Sequence, residues 1–193
     1  SMLITANFKG NSIDNMDGEL RMLNLNAKRN NENLELFDLS LKGFAEDGIP
    51  VIQLRADFAD ADLRGHYNFS GLKGAVKTTL ASLMPSGFKA SVPPKELKQN
   101  DFTLKINFKN TEEINNFFKT GIRLAEKSYI NVNFSPASMI SLTCESKKFS
   151  FKNNTFNDLT IDATTNRTVL SSTLRSSSLM LLGLSELRDF KAD

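Results

Sequence analysis

The chain has 193 residues, with 24 Lys and Arg against 22 Asp and Glu, and a formal net charge of +2. This length allows one or two domains with a real hydrophobic core, whereas dispersed and nearly balanced charges do not predict a nucleic-acid-binding surface. Cys144 is the only cysteine and His66 the only histidine, so the chain cannot form an internal disulfide or a Cys/His metal cluster, and no cofactor is expected.

The first half of the chain opens with predicted strands in which apolar and polar residues alternate. Because successive side chains of a strand point to opposite faces, a period of two predicts half-buried strands. They are predicted at residues 3–9, 19–29, 34–41, 49–58 and 61–69. The alternation slips by one residue between Met22 and Leu23 and again between Leu36 and Phe37. Since such a slip normally exchanges the two faces, we predict a β-bulge in each strand.

The reactive side chains of the fourth and fifth predicted strands do not form a recognisable active or metal site. A Ser or Cys triad would need His66 as its base, and no nucleophile motif accompanies it, so we expect that the chain is not an enzyme. Asp57, Asp60 and Asp62 lack the Gly and Glu of a calcium-binding loop. Solvated carboxylates are the simpler interpretation, because acidic residues are mostly exposed.

Two short amphipathic helices are predicted between the strands. Apolar residues at helical spacing predict the first near residues 71–84. Asn110 as N-cap and Glu113 three residues later predict the second near residues 111–120, with Gly121 as its stop. We expect each helix to cover apolar sheet, and the alternative is that a helix touches a membrane or plugs a groove.

Residues 86–100 form the best internal boundary, because Pro93 and Pro94 interrupt both kinds of periodicity. They separate residues 1–85 from residues 101–193, two halves that each carry several predicted strands and one short helix. We expect the halves and their connection to form one continuous structural unit that belongs to a longer protein.

The most regular alternation lies between residues 101 and 161. Thr103, Lys105 and Asn107 occupy one face, and apolar residues occupy the other: Phe102, Leu104, Ile106, Phe108, Ile130, Val132, Phe134, Ile140 and Leu142. Antiparallel sheets tolerate one apolar and one wet face, whereas parallel sheets usually show continuous apolar runs. The pattern therefore predicts a long antiparallel meander with one apolar surface. Cys144 shares the apolar parity and is expected to be a buried thiol.

Four segments of the chain resemble repeats of AsmA-like and TamB-type translocation and assembly module proteins of the cell envelope. They are GELRMLNL at residues 18–25, LELFDLSLKG at 34–43, QLRADFADADLRGHY at 53–67 and NNTFNDLTIDA at 153–163. The third segment is similar to the large TamB-like proteins of Bacteroidetes in particular. The likeness covers most of residues 3–175 and carries no catalytic signature.

The resemblance implies a mainly β fold, in which an elongated, curved antiparallel sheet forms a groove or β-taco with two short amphipathic helices. It implies a fragment of a protein that is anchored in the inner membrane and bridges the periplasm, so a periplasmic or cell-envelope location is expected. The implied function is lipid transport and outer membrane biogenesis. Phospholipid acyl chains are the expected ligand, and an outer-membrane barrel assembly protein is the expected partner if the role is protein assembly.

We interpret the nine apolar residues between positions 102 and 142 as candidates for lining a lipid groove. A sheet with one apolar face must cover that face with another layer or with ligand, and acyl chains need area rather than hydrogen-bond donors. The alternative is a structural or adhesive β-sandwich module of a cell-surface protein, whose second sheet covers the same residues. A glycan-acting enzyme is disfavoured because no carboxylate pair lies among sugar-stacking aromatic residues.

Overall fold

A computed structural model describes residues 2–10, 13–29, 31–68, 100–135, 139–166 and 169–193. The helix predicted near residues 71–84 and the connection predicted at 86–100, apart from Asn100, lie outside the described residues. The described part of the chain contains one 3-10 helix (Ile13–Asn15), one α-helix, α1 (Glu112–Phe118), and twelve strands. The strands are β1 (Leu3–Lys9), β2 (Asp17–Arg29), β3 (Glu32–Glu46), β4 (Ile49–Ala56), β5 (Ala59–His66), β6 (Asp101–Phe108), β7 (Ile122–Leu124), β8 (Tyr129–Ser135), β9 (Met139–Phe151), β10 (Asn154–Asn166), β11 (Val169–Leu181) and β12 (Ser185–Ala192).

All twelve strands belong to one open sheet, and every pairing between them is antiparallel. Each strand pairs with its successor in the chain, except that β7 pairs with β9 and β6 pairs directly with β8. The β5–β6 pairing sets His66 opposite Asp101, so the two halves of the chain share one sheet. The predicted mainly β, antiparallel fold is therefore confirmed, and the described residues hold a single α-helix.

The strands differ in length. The four central ones, β4, β5, β6 and β8, have seven or eight residues, whereas β2, β3, β9, β10 and β11 on either side have 13 to 15. Strand β4 ends at Ala56 opposite Leu39, so the start of β3 projects beyond it. Strand β8 begins at Tyr129 opposite Glu145, so the end of β9 projects beyond it at the same end of the sheet. We call this the long-strand end. The gap between the two projecting strands holds the insertion 109–128, which carries α1 and β7.

Hydrogen bonds fix this insertion at the end of the short strands. Lys109 N–H donates to the Phe58 carbonyl at 2.9 Å, and Phe108 N–H donates to the Ser128 carbonyl at 2.8 Å. Helix α1 contacts β3, where Glu35 N–H donates to Glu113 Oε2 at 3.2 Å. Backbone groups left without a strand partner thus form hydrogen bonds with the insertion.

Helix α1 begins one residue later than the sequence predicts, with Thr111 and not Asn110 as its N-cap, and it ends earlier. Asn110 Oδ1 accepts a hydrogen bond from Glu112 N–H at 3.0 Å, and two acidic residues in the first turn suit the helix dipole. The predicted stop at Gly121 is wrong by two residues. Lys119 takes the left-handed conformation (φ 52°) and donates its N–H to the Asn116 carbonyl at 3.1 Å, which ends the helix before Gly121 is reached.

The predicted β-bulges are wrong, because both strands change parity together. In the β2–β3 ladder Met22 lies opposite Leu39, and the same register continues beyond the irregularity at Leu25 and Leu36. The regular pairing is interrupted between these pairs, where Asn24 has a left-handed φ of 52°. Neither strand contains an extra residue. Apolar side chains therefore stay opposite apolar side chains on either side of the slip.

The same irregularity recurs on the other side of the sheet, at the level where the short strands end. Asp158 of β10 and Asp189 of β12 are left-handed, with φ of 45° and 50°, and the ladders skip a pair at each without a change of register. Asn and Asp tolerate this conformation better than other side chains. A one-sided bulge bends a sheet, whereas these matched interruptions leave it uncurled, in contrast to the curvature that the resemblance implies.

The two edge strands differ in their charges. Strand β1 is exposed along its whole length and has no charged residue and no Pro before Lys9. Strand β12 carries four charged side chains as well as the left-handed backbone at Asp189: Glu186, Arg188, Asp189 and Lys191. Charges and local irregularities protect a sheet edge against pairing with another strand. Strand β12 has both kinds of protection along its length, whereas β1 has a single charge, Lys9, at its end.

Candidate functional site

The cross-strand register places apolar residues in one unbroken row across the sheet. Each member lies directly opposite the next, so the row crosses eleven strands. The members are Ala6, Leu20, Leu41, Leu54, Ala61, Ile106, Ile130, Cys144, Ile161, Leu174 and Ala192. The two alanines on the edge strands are exposed, and all the others are half-buried. We call this set the apolar row.

The residues predicted to line a groove lie beside and within this row, on β6, β8 and β9. Register brings them together in three parallel lines on one face. The lines are Phe102–Phe134–Ile140, Leu104–Val132–Leu142 and Ile106–Ile130–Cys144, and Phe108 lies opposite Ala59 on the same face of β6. The structure thus places all nine predicted residues on a single surface.

These nine residues are not equally accessible. Phe102 and Phe134 are 6% and 3% exposed, and their rings stack with centroids 5.4 Å apart. They form the buried core cluster together with Ile52 and Leu63. The two rings therefore belong to the core and offer little surface to a ligand. Except for these two, the predicted residues are half-buried and keep surface that a ligand could cover.

The prediction left out the members of the surface that lie on β3, β4, β5, β10 and β11. They are Leu41, Leu54, Ala61, Ile161 and Leu174. Each belongs to a strand whose alternation is visible in the sequence. Their alignment with Ile106 is not visible, because it depends on the register of every intervening pair.

Cys144 is half-buried, so the expectation of a buried thiol is wrong. Its parity was predicted correctly, since it lies between Ile130 and Ile161 in the apolar row. The thiol retains exposure because the row is only partly covered. Partial burial and the neighbouring Glu145 carboxylate both raise the pKa of this thiol, which disfavours the reactive thiolate.

The opposite face of the sheet is polar across its width. One line of paired residues on this face is Asn7, Glu19, Lys42, Gln53, Asp62, Lys105, Asn131, Thr143, Asp162 and Thr173. On β6, Thr103 Oγ1 donates to Asn133 Oδ1 at 3.0 Å, as expected for the wet face. At the level of the apolar row, the sheet therefore has one apolar and one polar face.

Several ion pairs lie on the polar face. Arg21 Nη2 lies 2.6 Å from Asp38 Oδ2, and the hydrogen bond from Arg21 holds the pKa of Asp38 below its usual value. Arg55 Nη2 lies 2.6 Å from Asp62 Oδ1. These pairs are exposed and contribute little stability individually, so they mainly keep this face hydrated.

Tyr129 and Glu145 form a different kind of polar pair. They lie directly opposite each other on β8 and β9. The Tyr129 hydroxyl donates a hydrogen bond to the Glu145 carboxylate, and this bond, assisted by desolvation and nearby negative charge, raises the pKa of Tyr129 to about 12. The phenol is thus held in its protonated form.

The three aspartates near the β4–β5 turn have protein partners. Asp57 Oδ2 accepts hydrogen bonds from Phe37 N–H and from Asp38 N–H. It thereby pairs two backbone N–H groups of β3 beyond the end of β4. Asp60 pairs with Lys109 at 2.7 Å, and Asp62 pairs with Arg55. Across the described ranges no group of three or more His, Cys, Asp or Glu side chains could hold a metal ion.

Comparison with known proteins yields no relative. No family model, no curated protein and no solved structure matches the chain. In the part of the chain that the structure describes, no helix is both long enough and apolar enough to cross a membrane.

Proposed function

We propose that the chain is a segment of an envelope protein of the AsmA-like or TamB type, and that its apolar face carries phospholipid acyl chains. The observation that supports this is the apolar row, which crosses eleven strands and is left half-buried. Large exposed apolar surfaces on proteins usually mark sites of interaction. Acyl chains match this surface because they offer area and no hydrogen-bonding groups.

The length of the row favours a track over a pocket. Ten strand spacings give a row of about 48 Å. One leaflet of a bilayer has hydrocarbon about 15 Å deep, half of the usual core. The row is therefore roughly three times as long as one acyl chain, and a chain has several equivalent positions along it. We propose that acyl chains lie along this open surface, where the resemblance implies a curved groove.

A β-sandwich module is the competing function, and it requires a second sheet on this same face. The described residues form one sheet, and α1 contacts it mainly at β3 and β7. Periplasmic location, inner-membrane anchoring and assistance to outer-membrane protein assembly remain parts of the proposal that rest on the resemblance.

The variant Ile106→Asp tests the proposal at the centre of the row. Since Ile106 is half-buried, the new carboxylate keeps contact with water, and we expect the free energy of unfolding to fall by only about 1–3 kcal/mol. This is less than the total stability of most domains, so the sheet stays folded. A photo-crosslinking amino acid at Ile130, directly opposite, should then lose its crosslinks to phospholipid.

The matched control is Thr103→Asp, which adds the same charge on the polar face of the same strand, directly opposite Arg64. It should leave both folding and lipid crosslinking unchanged. Unfolding of the Ile106→Asp variant would show a sealed core of the sandwich kind, and unchanged crosslinking in a folded variant would contradict transport along the row.

A further inference from the structure

A polar cleft lies at the long-strand end, apart from the apolar face. Its volume is about 580 Å³, and none of its lining residues belongs to the apolar row. Its lining comes from α1, β7, the β9–β10 turn and Glu32 of β3. The lining residues are Glu32, Asn115, Asn116, Lys119, Gly121, Ile122, Arg123, Ser150, Lys152, Asn153 and Thr155.

The charges of this cleft are unbalanced. Lys119, Arg123 and Lys152 line it, and Glu32 is its only acidic side chain. The ion pairs found among the described residues involve none of these four groups. A concave surface with charges of one sign concentrates the electrostatic potential and attracts the opposite charge. The cleft is therefore suited to an anion.

The backbone brings the three cations together from separate elements. Lys119 follows α1 in the left-handed conformation, and Arg123 lies in β7 opposite Ser150 of β9. Lys152 N–H donates to the Gly121 carbonyl at 2.8 Å, which ties the β9–β10 turn to the segment that joins α1 to β7. The positions of the cations thus depend on hydrogen bonds of the main chain, and they do not require the ligand to form.

Hydrogen-bond donors accompany the charges. Ser150 Oγ and Thr155 Oγ1 are 2.9 Å apart, so one hydroxyl donates to the other and the second keeps its hydrogen for a ligand. The planar guanidinium of Arg123 can donate two parallel hydrogen bonds to a phosphate or carboxylate group. Phosphate also offers acceptor oxygens in further directions, which the two lysines and the free hydroxyl can meet.

We propose that this cleft binds a phosphate group, carried either by a small soluble ester or by a lipid headgroup. The site is built from different residues than the apolar row, so it stands whether or not acyl chains bind that row. Phosphate monoester is favoured over carboxylate because three cations around one cleft exceed the charge that a single carboxylate neutralises.

The test is a titration of the folded chain with inorganic phosphate at low ionic strength, followed by NMR chemical shifts. Arg123→Gln should weaken binding about tenfold, as expected for a lost charge-assisted pair. Glu32→Gln should tighten binding, because it removes the one negative charge of the cleft. Lys148→Gln is the control, since Lys148 is exposed on β9, outside the cleft, and its replacement changes the net charge equally.

A second arm identifies the source of the phosphate. Vesicles of phosphatidylcholine with and without phosphatidic acid are tested with the same variants. Binding to inorganic phosphate in the expected order of variants without binding to phosphatidic acid vesicles assigns a soluble ligand, and binding to those vesicles in that order, with or without free phosphate binding, assigns a lipid headgroup. Equal weakening by Lys148→Gln, or binding to neither probe, would overturn the proposal. If Arg123→Gln fails to fold in a thermal unfolding check, the exposed Lys119→Gln replaces it.

Discussion

The raised pKa of Tyr129 predicts that the protein loses stability at alkaline pH. Folding raises this pKa from the usual 10.0 to about 12, mainly because the hydroxyl donates a hydrogen bond to the Glu145 carboxylate. The folded protein therefore holds this proton more tightly than the unfolded chain, and the resulting stability is fully present below pH 10 and lost as the pH rises toward 12. Denaturant unfolding across this interval, with tyrosinate absorbance as a second signal, measures the effect.

Tyr129→Phe is the control for that measurement. It should reduce the loss of the free energy of unfolding at alkaline pH. Tyr67 still titrates in the variant, with a pKa that partial burial raises. An unchanged decline in the variant would mean that another group is responsible. The pair itself could not be predicted from sequence, since Tyr129 and Glu145 are distant along the chain and meet only through the β8–β9 register.

At the scale of elements, substitution tests how much the left-handed residues of the strands matter for stability. Asn24→Gly should retain stability, whereas Asn24→Val should lower the free energy of unfolding by about 1–2 kcal/mol, because a β-branched residue is strained at positive φ. Asn26→Val in the same strand is the control, and Val suits an ordinary strand position there. Urea unfolding of the three variants gives the comparison, and equal losses at positions 24 and 26 would show that backbone strain is not the cause.

The sequence predicted these elements more accurately than their irregularities. The parity slip at Met22 and Leu23 was visible, and so was the strand that contains it. A bulge and a matched interruption give the same slip in one strand, so only the pairing of Leu25 with Leu36 distinguishes them. Helix α1 was predicted from Asn110 and Glu113, but its end depends on the bond from Lys119 N–H to Asn116.

At the scale of the molecule, the antiparallel meander followed from alternation alone, whereas the two candidate surfaces required the structure. Ile106 could be assigned to an apolar face from its own strand. Its place in a line from Ala6 to Ala192 needed ten correct registers. The cationic cleft was not predicted at all, because Lys119, Arg123 and Lys152 come from segments with no shared pattern.

The unprotected edge at β1 predicts self-association of the chain at high concentration. Asn7→Lys should reduce it, because an edge lysine disfavours a further strand, while its position opposite Glu19 preserves folding. Asn107→Lys adds the same charge on the polar face of central β6 and should leave association unchanged. Sedimentation velocity over a concentration series measures both variants, and an equal decrease would indicate a simple effect of net charge.

The difference between the two edges also limits how far such association can proceed. Two copies that join antiparallel through β1, with Ala6 against Ala6, form a closed pair related by a twofold axis. Each outer boundary of that pair is β12, with Glu186, Arg188, Asp189 and Lys191 along it. A third copy then meets only protected strands. Growth by edge pairing is therefore expected to stop at the pair, short of the fibres that an open sheet with two bare edges would seed.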